Sequence, residues 1–481
     1  MRKIIYFVIL LSFLNGYGSN IQLKVKEISL GKLPSKQISP IWVSPDNKKV
    51  VYIEESRNKE FVIVNKKKGK KYDEIYGIVF SPDGKNVAYI VKERNKCKVV
   101  INGKEDKNYD LITDLIFSPD SKKIGYKAKH DGKWFFVVNG EEGKGYEWII
   151  TPVFSPDSKR FAYIVEKGRK EFVVVDGKEG KKYDWIKYLK FSPDSKHLSY
   201  IAKKGEKWVI VVDGKEGKEY DEIKCMPISP CSEDIFYVAN DKGKWIVIKN
   251  GKEILKYDGA QPDSQTFIFS PDGKRVMYRI KRNGKWVVVV DGKEGKEYDG
   301  VKNLKFSSDS RHVGYVAKLN GKEFIVVDGK EGKRYDWVSK FVFSPDSEKV
   351  GYIGCIIGEW IRKYKICVEK IKEGKELSRI IEIDFTPDFK LVPFTPPPYI
   401  KVPFDITFTP DSKHLIYKAS KKEKAKRKCV IGIEGKVETP EYDDFLEGSS
   451  IIFDTPNSFH TIAIRNGEMF LVEVEIKEEV F

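Results

Sequence analysis

The chain has 481 residues, of which 41% are hydrophobic and 33% are charged. This composition is typical of globular proteins and excludes a disordered or collagen-like chain. Lys and Arg number 88 against 71 Asp and Glu, so the formal net charge is +17 and the protein is basic. The length allows one large buried core or several domains.

The N-terminus, MRKIIYFVILLSFLNGYGSN, has the order of a secretory signal peptide. Arg2 and Lys3 precede an apolar run over residues 4–14, and small residues such as Gly18 follow it. Those 11 apolar residues are too few to span a bilayer, which needs about 20. We therefore predict that residues 1–19 are removed and that the mature protein is periplasmic or secreted, with no transmembrane span.

A 37-residue repeat dominates the rest of the sequence. The triplet Ser-Pro-Asp begins at residues 44, 81, 118, 155, 192, 270 and 344, and degenerate copies begin at 229, 307, 409 and 455. Every interval from 44 to 229 is 37 residues, and the spacing becomes irregular after that. The sequence therefore predicts eleven copies of one structural unit.

Each unit is predicted to form four short antiparallel strands. In the copy that contains Ser192, IKYLKF leads into the Ser-Pro-Asp-Ser turn, and HLSYIA and WVIVV follow as the second and third strands. Asp213-Gly214 is a tight hairpin signal, and a short fourth strand ends at Tyr220-Asp221.

The Asp of each Ser-Pro-Asp triplet is interpreted as a structural turn residue. A carboxylate at this position can accept hydrogen bonds from backbone N–H groups of its own turn. An Asp that recurs in nearly every copy is more simply explained by the turn than by calcium binding or acid–base catalysis. These residues are Asp46, Asp83, Asp120, Asp157, Asp194, Asp272 and Asp346.

The third strand, for example WVIVV at residues 208–212, is apolar on both faces and must be covered on both sides. Four-stranded sheets that cover one another face to face around an axis form a β-propeller. No stretch of the repeat has the 3.6-residue periodicity of a helix, which excludes a helical solenoid. The predicted fold class is therefore all-β, a β-propeller of four-stranded blades.

The core of the repeat resembles the WD40-like PD40 repeat of TolB-type propellers, as in FSPDGKNVAY at residues 80–89 and FSPDGKRVMY at residues 269–278. The resemblance covers residue 41 to the C-terminus and implies a fold rather than an activity. TolB-like proteins carry an α/β domain ahead of the propeller, which is missing here, so the Tol-system partners are not implied. The units do not end in Trp-Asp, so they are not WD40 repeats proper.

Eleven units exceed the 4–8 blades of an ordinary ring. We therefore predict two rings, residues 20–262 with about six blades and residues 263–481 with about five, and one large ring is the alternative. The stretch IQLKVKEISL at residues 21–30 is expected to supply an outer strand to the last blade and to close a ring.

The strongest break in the repeat is a proline-rich insertion, residues 385–405. Consecutive prolines favour an extended polyproline II conformation, and interleaved aromatic side chains would make such a loop adhesive. The insertion is a candidate partner-binding loop, or else a buttress packed on its own blade. Its candidate binding residues are Phe394, Pro396, Pro397, Pro398, Tyr399 and Phe404.

A basic cluster, KKEKAKRK at residues 421–428, is expected at a hairpin tip. It could hold an anionic polysaccharide or phospholipid headgroups, or it could be a solvated surface of the kind found in heat-adapted proteins. Nucleic acid is not expected outside the cytoplasm. The candidate basic patch consists of Lys421, Lys422, Lys424, Lys426, Arg427 and Lys428.

The sequence contains no G-x-S-x-G nucleophile elbow, no H-E-x-x-H, no P-loop and no EF-hand loop. His197, His312 and His414 occupy equivalent positions after the turn in blades that are not adjacent, so they are interpreted as solvent-facing residues at strand starts. We therefore predict no catalytic residue, no metal and no cofactor.

Six Cys and a row of Trp residues receive structural interpretations. The Cys residues are expected to be small buried side chains or to form one or two disulfides, with Cys225–Cys231 and Cys355–Cys367 as possible pairs. Trp134, Trp208, Trp245 and Trp286 begin the third strand of their units, which favours blade packing over a sugar-binding ladder.

The resulting functional hypothesis is an exported, non-catalytic propeller that acts as a scaffold for protein–protein interaction, with a partner the sequence does not name. The first alternative is a protein that binds carbohydrate or an anionic polymer. The second is an enzyme that uses the propeller channel.

Overall fold

The computed structural model describes residues 5–8, 20–34, 39–225, 235–257, 261–262, 267–357, 362–371, 378–385, 406–423, 426–433 and 437–479. Within these ranges the chain contains strands and turns but no helix, and the strands form eleven antiparallel sheets. The sheets are the blades of a β-propeller. The predicted fold class and the predicted number of units are confirmed.

Blades 1–6 follow one another along the chain, each with its strands in sequence order. Their strands are Trp42–Val43, Val50–Glu55, Glu60–Val64 and Lys67–Lys68 in blade 1; Glu74–Phe80, Val87–Glu93, Lys96–Ile101 and Lys104–Glu105 in blade 2; Leu111–Phe117, Ile124–His130, Lys133–Val138 and Glu141–Glu142 in blade 3; Trp148–Phe154, Phe161–Lys167, Lys170–Val175 and Lys178–Glu179 in blade 4; Trp185–Phe191, Leu198–Lys204, Lys207–Val212 and Lys215–Tyr220 in blade 5; and Glu222–Cys225, Phe236–Asp241, Lys244–Lys249 and Lys252–Tyr257 in blade 6.

Blades 7–11 continue the pattern with more variation. Their strands are Gln261–Pro262, Ile268–Phe269, Val276–Arg282, Lys285–Val290 and Lys293–Tyr298 in blade 7; Gly300–Phe306, Val313–Leu319, Lys322–Val327 and Lys330–Glu331 in blade 8; Trp337–Phe343, Lys349–Ile357, Arg362–Lys370 and Ser378–Phe385 in blade 9; Ile406–Phe408, Leu415–Glu423, Lys426–Ile433 and Val437–Glu438 in blade 10; and Asp444–Phe445, Ile452–Thr455, Ser458–Arg465 and Glu468–Glu479 in blade 11.

Two strands from the N-terminus complete blade 11, and we label them β1 (Ile5–Val8) and β2 (Asn20–Lys32). β2 pairs antiparallel with Glu468–Glu479, and β1 pairs with the other edge of β2. The prediction that residues 21–30 supply an outer strand to the last blade is confirmed.

The local sequence rules explain the hairpins within each blade. Asp213 and Gly214 both have positive φ angles, 49° and 77°, as the two central residues of a type I′ hairpin turn require. The third strand Lys207–Val212 has a run of buried residues in its centre, because it pairs with strands on both edges and neighbouring blades cover both of its faces.

The chain divides into two compact units. One comprises residues 34–276 and 280–282, and the other comprises residues 1–33, 277–279 and 283–481. Blades 1–6 lie in the first unit, and blades 8–11 lie in the second together with β1 and β2. The two-ring arrangement stays a prediction.

A repeated polar contact joins the fourth strands of successive blades. In blades 4 and 5 the hydroxyl of Tyr183 donates to Glu216 Oε1 at 3.0 Å, and Lys181 Nζ lies 2.5 Å from the same oxygen. The same pair of contacts joins Tyr72 and Lys70 to Glu105. The recurring Lys, Tyr and Glu of the fourth strand therefore hold one blade to the next.

Candidate functional site

Functional residues in a repeat protein are sought where one copy departs from the others. Four large side chains on the first strands of blades 3–5 are exposed to solvent, although side chains of these types are usually buried in large part. Leu111 is 39% exposed, Trp148 44%, Trp185 55% and Tyr188 54%. We call these four residues the first-strand patch.

The first strands of blades 2 and 3 contact each other, and so do those of blades 4 and 5. Blades of a propeller converge on the central channel. Strands of neighbouring blades that approach each other therefore lie on the channel side of their blades. Leu111, Trp148 and Trp185 are the first residues of their strands and recur at intervals of 37, so they occupy the same level of three consecutive blades.

A β-bulge interrupts the first strands of blades 2–5, and in blade 5 it contains Tyr188. In blade 5 the register moves from Lys187 opposite Ile201 to Lys190 opposite Ser199, so two residues stand opposite Tyr200. The bulged residue has a positive φ angle in four successive blades: Gly77 64°, Asp114 52°, Thr151 46° and Tyr188 57°.

Only glycine adopts this left-handed conformation without cost, and a β-branched or bulky residue there is a genuine outlier. Thr151 and Tyr188 therefore carry backbone strain of order 1–3 kcal/mol each. Strain of this kind persists where the surrounding structure imposes it, and it is concentrated at binding and catalytic sites. Tyr188 is both strained and exposed, and Thr151 lies on the same strand as the exposed Trp148.

A buried cation lies next to the patch in blade 3. Lys127 is only 8% exposed, and its Nζ lies 2.5 Å from Asp114 Oδ2 and 3.0 Å from the carbonyl oxygen of Ile149. The same Nζ is 5.6 Å from the ring centroid of Trp134 and 5.5 Å from that of Trp148. Cation–π attraction and the ion pair together hold the Trp148 indole in place.

The equivalent residues in blades 2, 4 and 5 are Ile90, Ile164 and Ile201, whereas blades 7 and 10 have Arg279 and Lys418, so the blade accepts either an apolar or a basic residue at this position. We expect Lys127→Ile to leave the melting temperature unchanged or to raise it, because Ile fills the same position in blades 2, 4 and 5 and the remaining Asp114 charge is not buried. Asp114 is about half exposed and can be solvated after the change.

Lys127→Ala is the matched control for that prediction. It leaves a cavity between two indoles and is expected to cost about 2 kcal/mol of unfolding free energy. Thermal denaturation followed by circular dichroism measures both variants. Equal losses for Lys127→Ile and Lys127→Ala would show that the charge itself is needed for folding.

A second cation stacks on a Trp in blade 5. Lys187 Nζ is 4.2 Å from the Trp208 ring centroid and 5.6 Å from that of Tyr188. The Trp185 and Trp208 rings are 6.1 Å apart at 48°. Two aromatic residues of the patch, Trp148 and Tyr188, thus each have a lysine ammonium within about 6 Å of the ring centroid.

The Ser-Pro-Asp residues lie in turns on every blade in which they are described. Each Ser hydroxyl donates to its Asp Oδ1, at 2.6 Å from Ser118 to Asp120 for example. That hydrogen bond is the larger cause that holds the pKa of Asp120 below its ordinary value, and a hydrogen bond from the Lys122 backbone N–H is the second. The same hydroxyl-to-carboxylate bond is made by Asp46, Asp83, Asp157, Asp194, Asp272 and Asp346.

The fourth residue of the turn reaches the neighbouring blade. Ser158 has a φ of 62°, and its hydroxyl accepts the backbone N–H of Asp120 in the preceding blade at 2.9 Å. Ser195 accepts from Asp157 in the same way at 2.9 Å. These serines therefore connect blades, a role that the repeat alone did not indicate.

The two surface features favoured by the sequence lie largely outside the part of the chain that the structure describes. The proline-rich insertion with its candidate residues, Phe394 to Phe404, lies outside the described residues. In the basic cluster, Lys421 stands opposite Lys428 across a hairpin, as expected, and Lys424 lies outside the described residues. Lys428 Nζ is 2.6 Å from Asp443 Oδ1 and lowers the pKa of that carboxyl, so it takes part in a blade-to-blade contact.

The third-strand Trp residues pack between blades, as predicted. Trp134 is buried against blade 4, and Trp208 packs on Ile223 and Tyr237 of blade 6. His197 is partly exposed and bonded to Asp213, 2.6 Å away. The prediction of a solvent-facing position is wrong for His414, which is 6% exposed and is held against its own turn by backbone hydrogen bonds with Thr409.

Cys97, Cys355, Cys367 and Cys429 are buried free thiols, as one of the two expectations had it, and the possible Cys355–Cys367 disulfide does not form. These two residues lie on neighbouring strands but stand opposite Tyr364 and Tyr352, three positions apart in register.

In the part of the chain that the structure describes, no three His, Cys, Asp or Glu side chains are grouped to hold a metal ion. No helix in that part is long and apolar enough to cross a membrane.

Sequence reasoning missed the first-strand patch. A signal for it exists, because the residue after Tyr-Asp or Tyr-Glu varies between units while its neighbours are fixed. It is Glu74, Leu111, Trp148 and Trp185 in blades 2–5. A position that changes from charged to large apolar within an otherwise regular repeat is a candidate for function.

No family model matches the sequence, and a search of curated proteins gave no match. Similar solved structures include the β-propeller domain of the Trilobed protease from Pyrococcus furiosus, with 15% identity over 56% of this chain and 97% of that chain and a TM-score of 0.27. The Dos1 propeller has 12% identity over 63% and 93% of the two chains and a TM-score of 0.31. A eukaryotic initiation factor has 11% identity over 84% and 96% and a TM-score of 0.37. Similarity at this level concerns the fold and carries no argument about activity.

Proposed function

We propose that this protein is an exported, non-catalytic β-propeller of PD40-like, TolB-related repeats that binds a protein partner through the first-strand patch. The observation that carries the proposal is the exposure of Leu111, Trp148, Trp185 and Tyr188 on three consecutive blades. The rest of each blade is a rigid frame. In this proposal the propeller presents the patch, and the partner covers it.

Trp and Tyr are the residue types enriched at the energetic centres of protein–protein interfaces. They bury a large area and lose few rotamers on binding. Strained bulges at Thr151 and Tyr188 support the same conclusion, because a conformation that costs free energy is retained where it positions a binding group.

The test compares capture of partners by the immobilised full chain and by the double variant Trp148→Ala/Trp185→Ala. Extract of the cell envelope and secreted material of the source organism is applied and washed at low and high salt. We expect a defined protein to stay bound at high salt and to be lost in the double variant. Each Trp is expected to contribute at least about 2 kcal/mol, so affinity falls about 30-fold per site.

Trp337→Ala is the matched control, because Trp337 occupies the same first-strand position in blade 9 and is 40% exposed. It should capture the partner as the unmodified protein does. Equal capture by all three proteins would contradict the proposal. Retention of polysaccharide alone, with complete elution as salt rises, would replace it by the polymer-binding alternative.

A further inference from the structure

The outer edge of blade 11 differs from the outer edges of the other blades. In blades 1–4 the outermost strand has only two residues, for example Lys67–Lys68 and Lys178–Glu179. Short, lysine-rich edge strands are a common protection against unwanted strand pairing. The outer strand β2 of blade 11 has 13 residues, so it offers a long row of backbone donors and acceptors.

That edge is occupied in the structure by a strand from the same chain. β1 pairs antiparallel with β2, with Ile5 opposite Glu27, Phe7 opposite Val25 and Val8 opposite Lys24. The pairing demonstrates that the edge accepts an added strand in a defined register. It spans only four residues of β2, and β1 lies within the segment that the sequence predicts to be removed as a signal peptide.

We propose that the outer edge of β2 is a docking site for an extended apolar segment of a partner protein. β1 covers this edge until residues 1–19 are removed. Strand addition supplies affinity through main-chain hydrogen bonds and specificity through alternate side chains. This inference rests on the export that the proposed function includes, because export removes residues 1–19, but it does not rest on the first-strand patch.

The charges of β2 indicate which segment fits. Lys24 and Lys26 already face acids on the inner neighbouring strand, Glu475 at 3.5 Å and Glu473 at 2.6 Å. An incoming strand therefore has no unpaired lysine to neutralise. Ile21, Leu23 and Val25 are buried on the other face. The sequence seated on the edge, IYFV, is uncharged and apolar, which is the chemistry we assign to the partner segment.

A second copy of this chain fits less well. Antiparallel pairing of two β2 edges centred on Val25 places Lys24 of one copy opposite Lys26 of the other. Like charges directly opposite in a sheet are destabilising, and lysines on an edge strand act against self-association. The inference therefore commits to a different protein as the source of the strand.

The test uses the full chain with Phe7→Pro, which interrupts β1 and opens the edge. Ser12→Pro, five residues further on and outside β1, is the matched control. The probe is a fluorescent peptide of residues 3–9, KIIYFVI, with binding followed by anisotropy. A second peptide carries N-methyl groups on alternate residues along its hydrogen-bonding edge and keeps the same side chains.

We expect the Phe7→Pro protein to bind the unmodified peptide at least tenfold more tightly than the Ser12→Pro protein, and N-methylation to abolish that binding. Tyr6→Pro repeats the test if Phe7→Pro lowers the melting temperature. Binding of both peptides alike, or of neither, would overturn strand addition. If the Phe7→Pro protein sediments as a dimer and does not bind the peptide, the edge is assigned to a second copy of this chain instead.

Discussion

Replacement of Arg465 by methionine is expected to lower the free energy of unfolding by about 3–5 kcal/mol, because it leaves a buried charge without its partner. Glu27 on β2 is only 3% exposed. The Arg465 guanidinium donates to both of its oxygens, at 2.7 Å and 2.9 Å. The hydroxyl of Tyr442 donates to Glu27 Oε1 at 2.7 Å. Burial and the Glu27 carboxylate raise the pKa of Tyr442, so this phenol stays a donor.

Chemical denaturation of the full chain measures the loss. Arg334→Met is the matched control, because Arg334 lies 3.4 Å from Glu331 on an exposed surface and such a pair contributes about 0–1 kcal/mol. The double variant Arg465→Met/Glu27→Gln removes both charges and should recover part of the stability. A loss for Arg465→Met no larger than that for Arg334→Met would contradict a structural role for the buried pair.

Acid is expected to destabilise the protein steeply between about pH 5 and pH 2. Hydrogen bonds from Lys181 and Lys204 lower the pKa of Glu216 from 4.5 to about 2. Lys70 and Lys98 do the same for Glu105, also to about 2. The stability contributed by such groups is fully present above the ordinary pKa of 4.5 and is lost as the pH falls toward 2. Since equivalent glutamates join several pairs of blades, their effects accumulate.

Melting temperatures recorded from pH 7 to pH 2.5 test this expectation. Glu216→Gln removes one of the low-pKa groups, so it should lower stability at neutral pH and reduce the slope in acid. Glu206→Gln removes an exposed carboxylate from a hairpin of the same blade and controls for the change in net charge. A melting temperature independent of pH over this range would show that the ion pairs do not contribute to folding.

The blade was predictable because its determinants are local. Ser192 and Asp194 form their turn through hydrogen bonds that span at most five residues. The next hairpin needs only the two turn residues Asp213 and Gly214. A strand that is apolar on both faces needs cover on both faces wherever it is placed. The turn residues and the pattern of apolar residues in the strands both act within one 37-residue unit. The sequence of a unit therefore specifies the structure of that unit.

The candidate site was not predictable in the same way, because its contacts join separate units. Lys127 looks like a surface lysine in the sequence, yet it is buried because Trp134 of its own blade and Trp148 of the next enclose it. The basic cluster and the proline-rich insertion stand out more in composition than Trp148 or Trp185, but composition does not report exposure.

Sequence by itself therefore determined that this protein is a propeller, how many blades it has, and where each blade turns. Only the tertiary structure decided which side chains remain exposed once the blades pack, and which charges pair across the chain, such as Lys26 with Glu473 more than 400 residues away. The physical reason is one of range. Turn and strand preferences act between neighbours in the chain, whereas burial and charge pairing depend on which blades are brought into contact.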